Sequence, residues 1–199
     1  MSNKAPTSFY SAEELSALGL RKFGQNVLIS RKASIYAAHK IEIGSHVRID
    51  DFCVISGSGG ISIGNYVHIA PFCGLYGGSG IELADFSGLA SRVALYSESD
   101  DFMGESLTNP TIPMDFKPGY SRGKITLGRH VIIGTGATIL PGITLSEGAS
   151  VGAHSLVSKD CEEWGFYFGT PAKRLKERSR NLLALEDKFI ETMRSNEQR

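Results

Sequence analysis

An aliphatic or aromatic residue returns every six positions along most of this chain, and few folds can use that rhythm. The series runs Phe23, Ile29, Ile35, then Ile43, Ile49, Ile55, then Ile63, Ile69, Leu75, then Leu83, Leu89, Leu95, and resumes with Leu127, Ile133, Ile139 and Leu145, Val151, Val157. The first four triplets begin 20 residues apart and the last two 18 apart. Self-similarity at this period marks a solenoid, in which each repeat buries its apolar face only by stacking on its neighbours. Three anchors per step give three sides per coil, so the spacing predicts about six coils of a three-sided, all-β solenoid.

Positions two before the anchors are also small or apolar, as in the columns Val47, Val67, Ser87, Val131 and Cys53, Cys73, Val93, Ala137. Alternation at period 2 marks short strands, with these residues and the anchors inward and the residue between them outward. Glycine, 23 of 199 residues, often follows the anchor at the corner, as at Gly44, Gly64, Gly128, Gly134 and Gly152. Cys53 and Cys73 then stack inside as small hydrophobes. Three cysteines without CxxC spacing suit neither a disulfide framework nor a zinc knuckle. The extra residues of the longer coils fall after the third anchor, which widens that corner. In the fourth coil the same corner takes in 24 further residues, so a loop over about 96–124 projects from the solenoid. Its Tyr96, Phe102, Pro110, Pro113, Phe116 and Tyr120 are too many aromatics and prolines for a plain linker, and an ordered arm is expected.

The chain reads as one domain, 1–199, with an N-terminal helical cap (1–22), a β-helix (23–160) and a C-terminal extension and helix (161–199). Ser11 to Glu14 form a capping-box pattern, and Gly19 closes the short helix. Leu175, Leu182, Leu185, Phe189 and Met193 space out as one apolar helical stripe, with Pro171 near its start. Such caps are needed because a solenoid ends in unpaired strand edges. Basic and acidic residues both number 21, so no charge excess points to nucleic acid or an anionic membrane. No apolar run approaches the ~18 residues of a spanning helix, and the start MSNKAPTSFY lacks a signal-peptide pattern. A cytoplasmic protein with no integral membrane segment is expected.

The six-residue pattern, with the runs Ile133 to Gly142 and Val151 to Asp160 and the closing Gly169-Thr170-Pro171-Ala172-Lys173, resembles the hexapeptide-repeat acyltransferases. The likeness covers roughly residues 20–176 and is nearest in pattern to sugar O-acetyltransferases of the galactoside, maltose and surface-polysaccharide type. It implies a left-handed parallel β-helix, a homotrimer, and acetyl-CoA as co-substrate in a groove between subunits. Matched motif to motif, it places Thr135, Ala153, Ser158 and Lys159 along the pantetheine arm and Lys173 and Lys176 near the phosphates. Independently, Thr135 and Ala153 should face outward beside glycine corners, where a small side chain lets a ligand approach the backbone. The cluster Lys173, Arg174, Lys176, Arg178, Arg180 has the charge to pair with phosphate or to form a solvated face.

The O-acetyltransferases of this family carry a histidine base where the loop begins. Here the segment is Tyr96-Ser97-Glu98-Ser99-Asp100-Asp101-Phe102, and Asp100 stands in the histidine's place. Asp100 and Asp101 are the candidate catalytic residues, and Tyr76 and Tyr96, at the root of the loop, the candidate acceptor contacts. An ordinary carboxylate is a poor base for a hydroxyl. Two chemistries remain: a hydroxyl activated by an aspartate whose pKa the loop raises, or an amine that is already nucleophilic. His68, His130 and His154 are expected to point outward, His154 being the one nearest the donor, and Ile132 replaces a tryptophan that some relatives place beside the loop. The spacing of His46 and His68 does not suit the three-histidine zinc site of γ-type carbonic anhydrases, so no metal is expected. The leading expectation is acetyl transfer to a saccharide hydroxyl. The alternatives are N-acetylation of an amino sugar or sugar nucleotide and a non-catalytic scaffold.

Overall fold

The computed structural model describes residues 8–197, which wind as a left-handed parallel β-helix flanked by two helices. Each anchor triplet supplies one strand to each of three parallel sheets. The first sheet stacks Lys22–Phe23, Ile41–Ile43, Ile61–Ile63, Ile81–Leu83, Ile125–Leu127 and Thr144–Leu145. The second stacks Leu28–Ile29, Arg48–Ile49, His68–Ile69, Gly88–Leu89, Ile132–Ile133 and Ser150–Val151. The third stacks Ser34–Tyr36, Val54–Ser56, Gly74–Tyr76, Ala94–Tyr96, Thr138–Ile139 and Leu156–Val157. Register sets anchor beside anchor, as in Leu83 beside Ile63 and Leu127, so the 44-residue offset across the loop still lands in phase. The anchors from Ile43 onward are buried, as are Cys53 and Cys73, whose thiols donate to the carbonyls of Ala70 and Ala90.

The solenoid exceeds the expected six coils by a partial seventh, in which Cys161 bridges Leu145 and Gly165–Gly169 pairs with Ser150–Val151. That last strand turns back through Thr170 and Pro171 into the antiparallel strand Ala172–Glu177. A helix starting near Pro171 is therefore not found. Leu175 is in this strand and exposed, and helix α2 spans Leu182–Glu197. The hairpin pairs the strand edge that a helix packed end-on would leave open. At the other end α1 (Ala12–Ala17) has the expected capping box, in which Ser11 and Glu14 bond each other's backbone N–H, and its buried Leu15 covers the first coil.

The corner between the first and second sheets carries a ladder of rings. Asn26, His46, Tyr66, Phe86, His130 and Trp164 all take left-handed φ of 53° to 60°. Such a φ is costly outside glycine, and here coil-to-coil stacking holds it. Successive centroids are 4.6 Å (His46 to Tyr66), 4.9 Å (Tyr66 to Phe86) and 5.2 Å (Phe86 to His130) apart. Between His130 and Trp164 the ladder position is Gly148, and the indole occupies the place of its missing side chain, 2.4 Å from an ideal Cβ. α2 lies on this ladder. Phe189 sets its edge 5.2 Å from Tyr66, and Glu186 bonds Nε2 of His130 at 2.8 Å and pairs with Arg129. His130 is thus buried under the helix rather than pointing outward as expected.

Candidate active site

The projecting loop is an ordered arm. At its root Glu98–Ser99 pairs antiparallel with Ser121–Arg122, and a 3-10 turn over Met114–Phe116 folds it back. Its interior is built on Lys117, the one cation among residues 97–120 against five acids. The Lys117 ammonium, with 4% of its side chain exposed, lies 2.5 Å from Oδ1 of Asp100. It also donates to the Asn109 carbonyl at 3.1 Å and faces the Tyr120 ring at 4.3 Å. Tyr120 donates in turn to Glu98 at 3.0 Å. Sequence reasoning missed Lys117, although a lone cation among acids was a signal that could have found it.

Lys117, with help from the Asn109 N–H, holds the Asp100 carboxyl below the usual carboxylate range. The backbone N–H of Met103, followed by that of Glu105, does the same for Asp101, whose two oxygens accept them at 2.8 and 2.6 Å. Neither aspartate is raised toward neutrality, because the loop surrounds both with donors rather than apolar groups. Each carboxylate keeps spare lone pairs, so each can accept a hydrogen bond from a substrate. Tyr76 and Tyr96 stack at 4.8 Å at the arm's root, beside a shallow cleft of about 260 Å³ that Glu98 and Tyr120 also line.

The expected donor residues separate into groups. Thr135 and Ala153 share one corner between the second and third sheets, where the His154 N–H bonds the Thr135 carbonyl at 2.8 Å, and Ala153 is exposed. The hairpin turn reaches this corner, since Thr170 bonds the His154 carbonyl, and Lys173 follows it on the outer strand. Ser158 and Lys159 lie past the far edge of the third sheet. Of the basic cluster, Arg174 pairs with Glu162 and Glu177, Arg178 donates to the carbonyls of His130 and Gly148, and Arg180 stacks on Trp164. Burial pushes Arg178 down. Among the described residues Lys173 and Lys176 make no ion pair, which leaves them available to a phosphate.

A concavity of about 350 Å³ opens on the outer face of the second sheet beside Thr135. Its floor is Gly88 with Ala70, Ala90 and Ile132, and its rim carries His68 and Ser91. Below it Asp50 bridges Nε of Arg48 and Nε2 of His68, both at 2.7 Å. Burial pushes the Asp50 carboxyl up, but the bonds from His68 and Arg48 outweigh it and hold it below the ordinary range. Arg48, His68 and Gly88 follow one another at the 20-residue step, so the sequence had already aligned them in one outward column.

No family model matches the chain. A curated relative from Escherichia coli, dTDP-4-amino-4,6-dideoxy-D-glucose acyltransferase, is 44% identical over 177 residues, 88% of this chain and 92% of its own. Among solved structures, AntD, an N-acyltransferase from Bacillus cereus in complex with dTDP and 3-hydroxybutyryl-CoA, superposes with a TM-score of 0.92 at 46% identity, covering 95% of this chain and 100% of its own. A serine variant of AntD, in complex with dTDP-4-amino-4,6-dideoxyglucose and coenzyme A, gives 0.91 at 46% identity, covering 94% and 100%. A maltose O-acetyltransferase from Clostridium difficile 630 is 20% identical with a TM-score of 0.54, over 89% of this chain and 80% of its own, and shares the fold alone. The expectation of acetyl transfer to a saccharide hydroxyl is corrected by this pattern. One near full-length match is named for an amino sugar nucleotide and the other is an N-acyltransferase, while the sugar-hydroxyl enzyme is a distant likeness.

Proposed function

Because the chain belongs to the hexapeptide-repeat acyltransferases and uses acyl-CoA as its co-substrate, we propose that it acylates the amino nitrogen of a nucleotide-linked amino sugar, of the dTDP-4-amino-4,6-dideoxyhexose class. The observation that carries this reading is the near full-length match to one protein named for that acceptor and to an N-acyltransferase whose variant was solved in complex with it. The arm's chemistry supports it. Both loop aspartates are held ionised below the carboxylate range, which suits hydrogen bonding to an amine and is a poor arrangement for deprotonating a hydroxyl.

In the proposed reaction the neutral amine attacks the thioester carbonyl carbon, the C–N bond forms, and the C–S bond breaks. CoA leaves as thiolate, and the proton lost by the nitrogen passes by way of a loop carboxylate or water to that sulfur. The AntD variants exchange a serine and an aspartate ten positions apart. Ser91, on the rim of the second-sheet concavity, and Asp101, in the arm, have that separation here. Thr135 and Ala153 would line the pantetheine path, with Lys173 and Lys176 at its phosphate end and Ser158 and Lys159 beyond. The acceptor and donor surfaces are each open on one chain, which supports a homotrimer with sites shared between subunits.

The test is CoA release with acetyl-CoA and 3-hydroxybutyryl-CoA, each against dTDP-4-amino-4,6-dideoxyglucose, maltose and a galactoside. The amino sugar nucleotide is expected to exceed the neutral sugars in kcat/KM by at least about 100-fold. Equal or better turnover of a sugar hydroxyl would overturn the reading.

A further inference from the structure

Gly88 occupies an outward strand position where the fold gives no reason for glycine. Its φ is not in the left-handed region, and a Cβ built on it meets nothing within 4 Å. Glycines elsewhere in the solenoid answer either to close neighbours or, as at Gly60, Gly80 and Gly142, to a left-handed φ. Gly44 abuts the backbone of Gly64, and Gly152 abuts the Phe168 ring, with ideal Cβ distances of 2.6 and 2.4 Å. A glycine inside a strand loses side-chain packing and costs conformational entropy. The neighbours above and below in its column are Ile132 and His68, so the missing side chain leaves a notch between an apolar wall and an imidazole.

The notch has two chemistries. Its floor and one wall are hydrocarbon, from Ala90 and Ile132, the latter 50% exposed. Its other wall is His68, whose Nε2 is taken by the ionised Asp50, so Nε2 carries the proton and Nδ1 is the ring nitrogen left for a ligand. The second bond, from Arg48 to Asp50, fixes the brace from below. Thr135, the corner residue of the donor path, lies on the same rim. A hexose ring with a methyl in place of its C6 hydroxymethyl presents the complementary pair, a methyl for the alanine and isoleucine surface and ring hydroxyls for an imidazole nitrogen.

We infer that the notch over Gly88 seats the deoxyhexose ring of the acceptor, with Nδ1 of His68 bonding one of its hydroxyls and Asp50 acting as the positioning residue that holds the imidazole. The inference rests on the amino-sugar reading above and adds to it the subsite and the basis for preferring a 6-deoxy sugar.

Steady-state kinetics of Gly88→Val, His68→Ala and Asp50→Asn, with calorimetric CoA binding, melting temperature and light scattering on each, test it. Gly88→Val is expected to keep its melting temperature, its CoA affinity and its oligomeric mass, and to raise the acceptor KM at least about 10-fold by filling the notch. His68→Ala is expected to raise the acceptor KM by about 10-fold with little change in kcat, and Asp50→Asn by less. Wild-type enzyme should prefer the 6-deoxy acceptor to its 6-hydroxy analogue. Unchanged acceptor KM in both Gly88→Val and His68→Ala would overturn the inference alone. So would a changed oligomeric mass for Gly88→Val, since the notch would then belong to another chain. No acylation of the amino sugar nucleotide by the wild-type enzyme would overturn the functional reading and the inference together.

Discussion

Asp100 and Asp101 adjoin in the chain and are held ionised by different partners, a buried ammonium for the first and backbone N–H groups for the second. The folded carboxyls titrate below their unfolded values, so each stabilises the arm fully above the unfolded pKa of about 4 and loses that contribution as pH falls through the folded value. Neither changes charge between pH 6 and 9. The amine of the acceptor does, and only its neutral form attacks. The kcat/KM profile is therefore expected to show a single rising limb set by the substrate amine. Asp100→Asn should keep that shape and lower the rate by about 10-fold or less, since orientation is lost and no obligatory base is removed. A second limb that disappears in Asp100→Asn, or a loss of about 10² to 10⁴, would make Asp100 the base after all. The departure from histidine was legible at this position in the sequence. The direction of the aspartates' shifts was not, because for Asp100 it depends on Lys117, seventeen residues on, and for Asp101 on the backbone N–H groups of Met103 and Glu105, all brought into place only by the folded arm.

Among the elements, the strands were legible because their period follows from burial, as Leu83, Leu89 and Leu95 show by falling one to each sheet. The strand Ala172–Glu177 was not. Its AKRLKE has good helix formers throughout, and it is extended only because Gly165–Gly169, a segment outside the six-residue rhythm, supplies its pairing partner. Nor did the rhythm reveal what α2 covers, since the corner rings lie between anchors and align only once the coils stack. The arm is the element whose order depends most on one side chain. Lys117→Met keeps a long apolar stem against Tyr120 but removes the charge from Asp100 and the donor from the Asn109 carbonyl. The solenoid core lies apart from these contacts, so its melting transition should move little. Protease cleavage within residues 102–116 should rise and kcat/KM should fall by about 10-fold or more, as catalytic positioning is lost. Unchanged cleavage and activity would show that the arm holds its shape without the ion pair.

At the scale of the molecule, the arm ends in apolar groups that this chain does not cover: Phe102 is 88% and Met103 84% exposed, and Leu107 and Phe116 are also exposed. Apolar tips of that kind call for a partner surface, and with balanced charges there is no net repulsion between copies. The second-sheet notch and the corner of Thr135 and Ala153 supply an open surface at about the level of the arm's departure from the fourth coil. If the arm of one copy closes the notch of the next around a threefold axis, the particle should scatter as three chains of 21.5 kDa. Each site would then take its notch from one chain and its arm from another. Gly88→Val and Lys117→Met disable opposite halves of such a site, so unfolding and reassembling the two variants together at equal amounts separates shared from self-contained sites. Random mixing places an intact notch against an intact arm in about a quarter of the interfaces, so activity should recover to about a quarter of wild type. Recovery of none, in particles shown to have exchanged subunits, would mean that each chain completes its own site.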